Sequence, residues 1–224
     1  MSKKLIIVGS GNAALCAGIS ALEKGATVKI LEKANEYLAG GNTKYTAGAM
    51  RFVYNNGDEL KPLLKDTNDP KLKKTNFGKY SKEKFSEDLL NFNDGKPLTI
   101  EQKTLINESY ETMKWLSSHD VKFEPIYQRQ SFEKDGKFIF WGGLTLASKN
   151  EGVGLFDQEL EAFKKLGGEI EYETPVTELI KEEGKIIGVK TENNNYIAEA
   201  VVLASGGFEA NKEMRSKYLG DHWG

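Results

Sequence analysis

Gly9, Gly11 and Ala14, answered 23 positions after Gly9 by Glu32, are the residues whose types and spacing could do chemistry. Gly9 allows a tight turn. Gly11 lacks a Cβ, so the backbone can approach a pyrophosphate, and Ala14 lets a following helix pack closely on a strand. Asn12 and Ala13 would open that helix, aiming free N–H groups and the positive dipole end at phosphates. An acid about 20 residues beyond the turn suits the hydroxyls of a ribose and disfavours a 2′-phosphate. Together these residues would grip a dinucleotide. An ordinary glycine-rich turn of an α/β protein is the bland reading of the same stretch.

Other reactive side chains are sparse. His119 sits before Asp120-Val121 at a helix end, where the dipole favours it. His222 lies near the last residue. Arg51 and Arg129 could reach a carboxylate, although surface ion pairs are the more ordinary use. Trp141 could cover a flat ring or simply fill a core. No His/Cys cluster points to a metal, and no Ser-His-Asp arrangement stands out.

The elements that must position the glycine turn are legible. Leu5 to Val8 is apolar and rich in β-branched residues, as a buried parallel strand should be. A helix follows from Asn12 to about Lys24, stopped by Gly25, and Val28 to Leu31 supplies the second strand. Lys3-Lys4 and the small residues before Cys16 loosely imitate a secretory signal. The apolar run breaks at Gly9-Ser-Gly-Asn12, however, and Cys16 reads as a small residue on the buried side of the helix.

Ala34 to Tyr54 reads as a Gly/Asn/Thr-rich loop, and Glu59 to Gly95 as short surface helices and loops with few apolar anchors. Thr99 with Gln102 forms a capping-box pattern for a helix to about Ser117, its apolar side carrying Ile100, Leu105, Ile106, Met113, Trp115 and Leu116. Gln130 to Phe140 reads as a hairpin turning at Asp135-Gly136. Gly152-Val-Gly154 opens a helix with Leu155, Leu160, Phe163 and Leu166 on its apolar face, ended by Gly167-Gly168. Glu169 to Tyr172 is a strand. A meander then runs through Val176–Ile180, Ile186–Val189 and Tyr196–Ala200, before the apolar strand Ala200–Ala204 ends at Ser205-Gly206.

The bulk properties narrow the classes. The 224 residues carry a net charge of −2, without the basic bias of a nucleic-acid binder. One cysteine excludes an internal disulfide and fits a reducing compartment. No apolar run is long enough to span a membrane, so direct membrane insertion is not expected and a cytoplasmic location is.

A purely NAD-type domain would alternate strand and helix from the start. Here the chain leaves after two strands, makes a long excursion, and returns through an antiparallel meander to one more parallel strand. Val8-Gly-Ser-Gly-Asn-Ala-Ala-Leu-Cys16, Leu31-Glu-Lys33, Gly40-Gly-Asn-Thr43, Arg51-Phe52, Phe140-Trp-Gly-Gly-Leu-Thr145 and Leu203-Ala-Ser-Gly-Gly-Phe-Glu-Ala-Asn211 together resemble the N-terminal part of the fumarate reductase and succinate dehydrogenase flavoprotein family. Within it they look like the FAD-dependent tricarballylate dehydrogenases and the flavoprotein part of CobZ-type precorrin-3B synthases.

The resemblance implies an α/β, FAD-binding Rossmann-like fold, a parallel sheet with an antiparallel meander and helices, here incomplete. Residues 1–58 and 150–224 would form the nucleotide-binding core and 59–149 a helical and hairpin excursion. It implies that Gly9, Gly11, Asn12, Ala13 and Ala14 hold the FAD pyrophosphate, that Glu32 takes the adenosine ribose and that Lys33 flanks it. Gly41, Asn42 and Thr43 would approach the pyrophosphate and flavin end, and Thr46, Ala47 and Gly48 would line the isoalloxazine. Val176 would offer its backbone to the adenine, with Ser205 and Gly206 beside the cofactor. Respiratory members carry flavin covalently on a histidine in the loop matching Gly40–Thr43. Asn42 stands there, which implies non-covalent FAD.

The family exchanges hydride between flavin and a small di- or tricarboxylate, with an arginine moving the proton and an electron-transfer partner as donor or acceptor. Its clamping residues lie in a capping domain and beyond, expected to be absent here, so the catalytic residues are unassigned, and either self-association through uncovered surface or a cofactor-free form is expected. A non-catalytic FAD-binding module is the second reading, and an NAD-binding dehydrogenase domain the third.

Overall fold

A computed structural model describes residues 2–224. In chain order the elements are β1 (Lys4–Val8), α1 (Asn12–Glu23), β2 (Thr27–Leu31), β3 (Ala49–Met50), β4 (Thr75–Asn76), α2 (Lys82–Phe92), α3 (Ile100–Ser118), β5 (Phe123–Pro125), α4 (Tyr127–Gln130), β6 (Ser131–Lys134) and β7 (Lys137–Phe140). They continue with β8 (Leu146–Ser148), α5 (Glu151–Lys165), β9 (Glu169–Glu171), β10 (Val176–Glu182), β11 (Lys185–Thr191), β12 (Asn195–Ile197), β13 (Ala200–Leu203) and α6 (Lys212–Leu219). The chain divides into two compact units, Met1–Asn42 with Phe163–Gly224, and Thr43–Ala162.

The first unit holds a parallel sheet in the order β13-β1-β2-β9. Successive strand residues point to opposite faces, and β1 shows it. Ile7 is fully buried on the face that meets Gly18 of α1. Ile6, one residue away, packs with Leu31, Val189 and Ala198 on the other face. The antiparallel meander β10-β11-β12 covers that second face. Its first turn, Glu183-Gly184, takes φ +48° and +78°, the paired left-handed geometry of a tight hairpin. α1 ends as its sequence requires. Gly25 takes φ +79° and its N–H donates to the Leu22 carbonyl at 2.9 Å.

The last turn of α5 is pinned by Phe163, which is fully buried against Gly18 and Gly168. The Gly168 N–H donates to the Phe163 carbonyl at 3.0 Å and the Gly167 N–H to that of Lys164 at 3.0 Å. This closes the helix at Lys165. Leu166 falls beyond that end and is 42% exposed rather than on the apolar face, which α5 builds from Leu155, Phe156, Ala162 and Phe163.

The second unit contains two three-stranded sheets, β3-β8-β5 and β4-β7-β6. The capping box at Thr99 and Gln102 is fully formed. Along α3 the buried face is Ile106, Ser109, Met113 and Leu116, a clean 3-4-3 spacing. Ile100 and Leu105 lie off that stripe and are exposed, and Ser109 takes the place of an apolar residue by accepting the Val53 N–H at 3.1 Å. The stretch 59–95 is better anchored than its charge implies. Leu60, Leu63 and Leu64 are buried at short 3₁₀ turns that lysines and acids surround, while Phe77 is buried just after β4, Tyr80 where it bridges to Tyr54, and Phe85 on α2. The Ala34–Tyr54 stretch likewise contains a 3₁₀ turn at Gly41–Tyr45 and the short β3. The β6–β7 hairpin turns at Asp135-Gly136, both residues with positive φ. No helix among the described residues is long and apolar enough to cross a membrane.

Candidate functional site

Most of the proposed cofactor residues lie in the first unit, at the C-terminal ends of β1, β2 and β13, where open α/β sheets bind ligands. β1 runs between β2 and β13 in parallel register, with Val8 opposite both Leu31 and Leu203. Gly9 leaves β1 with φ +97°, and a Cβ built there would stand 2.5 Å from the Ala204 carbonyl oxygen. Only glycine fits that crossing of two strand ends. Gly11 then caps α1 without any side-chain hydrogen bond, and the first turn holds no acid. The first internal bond of the helix is Leu15 N–H to Gly11 carbonyl at 3.0 Å. The N–H groups of Asn12, Ala13 and Ala14 therefore precede the helical ladder and point from its positive end, the donor set a pyrophosphate needs.

Glu32 closes β2. Its main chain is woven into the sheet end, its N–H donating to Glu171 and its carbonyl accepting from Thr174 at 2.8 Å. The side chain is only 7% exposed. One carboxylate oxygen accepts the Ala34 N–H at 2.8 Å and the other the Ser10 hydroxyl at 2.5 Å. Each oxygen keeps a further lone pair, which is what a ribose diol would use. Nearby, burial pushes the Tyr172 hydroxyl pKa up, and the charges of Glu36 and Glu32 push it the same way.

The surrounding positions are open. Gly41 and Gly206 adopt φ +52° and +77° with no atom within 4 Å of a built Cβ. Lys33, Asn42 and Ser205 are exposed, and Val176 is half-buried at the start of β10. The Asn42 amide donates to the Glu209 carboxylate at 3.0 Å. An uncapped helix start, a glycine crossing and a fixed carboxylate around an open strand end fit an adenine dinucleotide.

Thr43, Thr46, Ala47 and Gly48 belong to the second unit. There the loop folds on itself. The Thr46 hydroxyl donates to the Thr43 carbonyl at 2.9 Å and accepts the Gly48 N–H at 3.1 Å. The Gly152 N–H of α5 donates to the Thr46 carbonyl at 3.0 Å, and a Cβ on Gly152 would collide with the carbonyls of Thr43 and Thr46. Gly152 reads from sequence only as a helix opener. Its close approach to the Thr43–Gly48 loop is a tertiary fact that spacing does not reveal. Ser10, between the two glycines, was equally silent.

The remaining candidates are engaged elsewhere. The ring of His119, the C-cap of α3, is hydrogen-bonded through Nδ1 to the Trp115 carbonyl at 2.8 Å. Arg129 pairs with Glu151 at 2.6 Å on the surface. Arg51 donates to the Tyr80 hydroxyl at 2.9 Å, and that hydroxyl donates to Asp88 at 2.6 Å. Trp141 does not fill a core. It is 67% exposed, with its ring 4.7 Å from that of Phe132. Cys16 is half-buried rather than buried. No group of acids, histidines and cysteines among the described residues could hold a metal ion.

Over residues 4–223 the chain matches the FAD binding domain family. It is 30% identical to a urocanate reductase from Eggerthella lenta, covering 96% of this chain and 33% of that protein. It is 28% identical to a fumarate reductase (cytochrome) from Shewanella frigidimarina, covering 95% of this chain and 34% of the relative. The chain thus spans about a third of the length of these curated relatives. Among solved structures, a 3-ketosteroid delta1-dehydrogenase from Sterolibacterium denitrificans superposes with a TM-score of 0.70 at 15% identity, covering 97% of this chain and 50% of that one. This likeness shows the fold. The chain belongs to the FAD-binding domain family, within the fumarate reductase and succinate dehydrogenase flavoproteins, and FAD is its cofactor.

Proposed function

We propose that this chain is the FAD-binding portion of a reductase or dehydrogenase that acts on a carbon–carbon bond beside a carboxylate, on a small di- or tricarboxylate in the manner of a fumarate reductase or tricarballylate dehydrogenase. One observation carries this reading. The uncapped start of α1 and the fixed Glu32 carboxylate flank the same glycine turn, so a pyrophosphate and a ribose can be held together. The relatives support the substrate class, because urocanate and fumarate share a double bond conjugated to a carboxylate.

When bound, FAD supplies the hydride exchanged with the substrate carbon. The residues of this chain bind and orient it. Gly9, Gly11, Asn12, Ala13 and Ala14 take the pyrophosphate, Glu32 the ribose with Lys33 beside it, and Val176 the adenine through its backbone. Ser205 and Gly206 flank the cofactor, while Gly41, Asn42 and Thr43, with Thr46, Ala47 and Gly48, serve the flavin end. The substrate clamp and proton donor are assigned to the further length that the relatives carry. An electron-transfer partner and association of two copies belong to the same reading.

Asn42 offers a carboxamide where a covalent attachment needs a nucleophilic ring nitrogen, which supports dissociable FAD. Acid precipitation of flavin-loaded protein should leave the flavin in the supernatant, and flavin in the pellet would contradict the assignment. For the reaction, a protein joining this chain to the further length that the relatives carry should, once bleached with dithionite, be reoxidised by fumarate. Flavin that binds and bleaches but is not reoxidised by fumarate or aconitate would leave a cofactor-holding module without turnover.

A further inference from the structure

The Ser10 side chain lies between the two glycines of the turn, 1% exposed. It makes two hydrogen bonds whose directions are forced. The Glu32 carboxylate can only accept, so the Ser10 hydroxyl donates to it, at 2.5 Å. The Gly40 N–H can only donate, so the same oxygen accepts it, at 3.0 Å. Gly40 is itself buried and takes φ +110°. One hydroxyl thus joins three segments that are far apart in sequence: the phosphate turn, the acid ending β2, and the entry to Gly41–Asn42. The 2.5 Å bond has the short length of a hydroxyl on a charged acceptor.

We infer that Ser10 is a positioning residue for FAD, a buried relay that fixes the ribose-binding carboxylate and the Gly40 loop as one unit. The inference rests on the FAD reading above. Without the hydroxyl, Glu32 loses the partner that sets one of its oxygens. Gly40 loses the acceptor that holds the loop in its left-handed conformation. Both ends of the cofactor cradle would loosen from one substitution that need not touch the ligand.

The test uses the full chain in wild-type, Ser10→Ala, Glu32→Ala and doubly substituted form, with FAD binding measured by calorimetry. Ser10→Ala should weaken FAD about tenfold or more. The double variant should lose less than the product of the single losses, because both act through one contact. In the FAD-free protein, amide exchange at Gly40 should accelerate at least tenfold in Ser10→Ala while Ile30, in the sheet centre, is unchanged. Ser10→Thr, which keeps the hydroxyl, should restore slow exchange at Gly40. Wild-type FAD affinity in Ser10→Ala, a multiplicative loss in the double variant, or an unmoved Gly40 amide would overturn the relay. A wild-type chain that takes up no FAD would instead overturn the functional reading, and the Gly40 exchange rates would still decide the relay.

Discussion

A Cβ on Gly9 would stand 2.5 Å from the carbonyl oxygen of Ala204, so the turn after β1 and the end of β13 meet with room for a hydrogen only. The same glycine sits at φ +97°, where an L side chain is strained.

Gly9→Ala should therefore cost about 1–3 kcal/mol from backbone strain alone. Each kcal/mol corresponds to a fall of about 2–4 °C in melting temperature for a chain of this size. FAD uptake should fall with it. An unchanged melting curve would show that the strand ends separate freely.

Phe163 predicts a coupled pair. A Cβ on Gly18 would lie 2.6 Å from its ring, so Gly18→Ala should cost about 1–3 kcal/mol by overpacking. Phe163→Ala should cost about 3–5 kcal/mol by cavity formation. Phe163→Leu should relieve part of the Gly18→Ala defect. Strictly additive losses in denaturant titrations would refute the contact.

Glu171 predicts an acid dependence. The Tyr196 hydroxyl, 2.6 Å away, is the main influence holding the Glu171 carboxyl below its usual 4.5, and Lys29 adds to it. A depressed carboxyl stabilises the fold above its unfolded pKa and loses that contribution as pH falls through the lower folded value. Tyr196→Phe should raise the Glu171 pKa and flatten the loss of stability below about pH 4.5. Carboxyl titration by NMR reads both, and an unmoved Glu171 would reject the hydroxyl as the cause.

Thr99→Ala removes the hydroxyl half of the capping box at the start of α3 and should destabilise by about 1 kcal/mol. FAD affinity should stay as in the wild-type chain. A loss of affinity would mean that α3 supports the cofactor site.

The first unit was readable because its signals are local. The strand, glycine turn, helix and acid from Leu5 to Glu32 each declare themselves within a few residues, and the boundaries of β1, α1 and β2 moved by one residue. The type of the hairpin at Asp135-Gly136 follows from the same short-range chemistry. What escaped depends on partners distant in sequence. Nothing near Ser10 announces Gly40 or Glu32, and nothing near Gly152 announces Thr46. The burial of Leu60, Leu63 and Leu64 hid behind neighbouring charges, because 3₁₀ turns carry no long period to read. On α3, Ile100 and Leu105 were apolar without being inward, since only the tertiary partner selects which stripe is buried.

The pairing of β1 with β13 joins Leu5 to Ala200. Contacts so far apart in the chain are slow to form, because the loop between them must close before they stabilise anything. During synthesis the glycine turn emerges early, yet its opposing wall at Ala204 arrives only after the whole Thr43–Ala162 unit has been made. The phosphate grip is thus encoded at β1 but completed only when β13 pairs with it. Flavin capture should follow that step, so the nascent chain stays cofactor-free until β13 has docked.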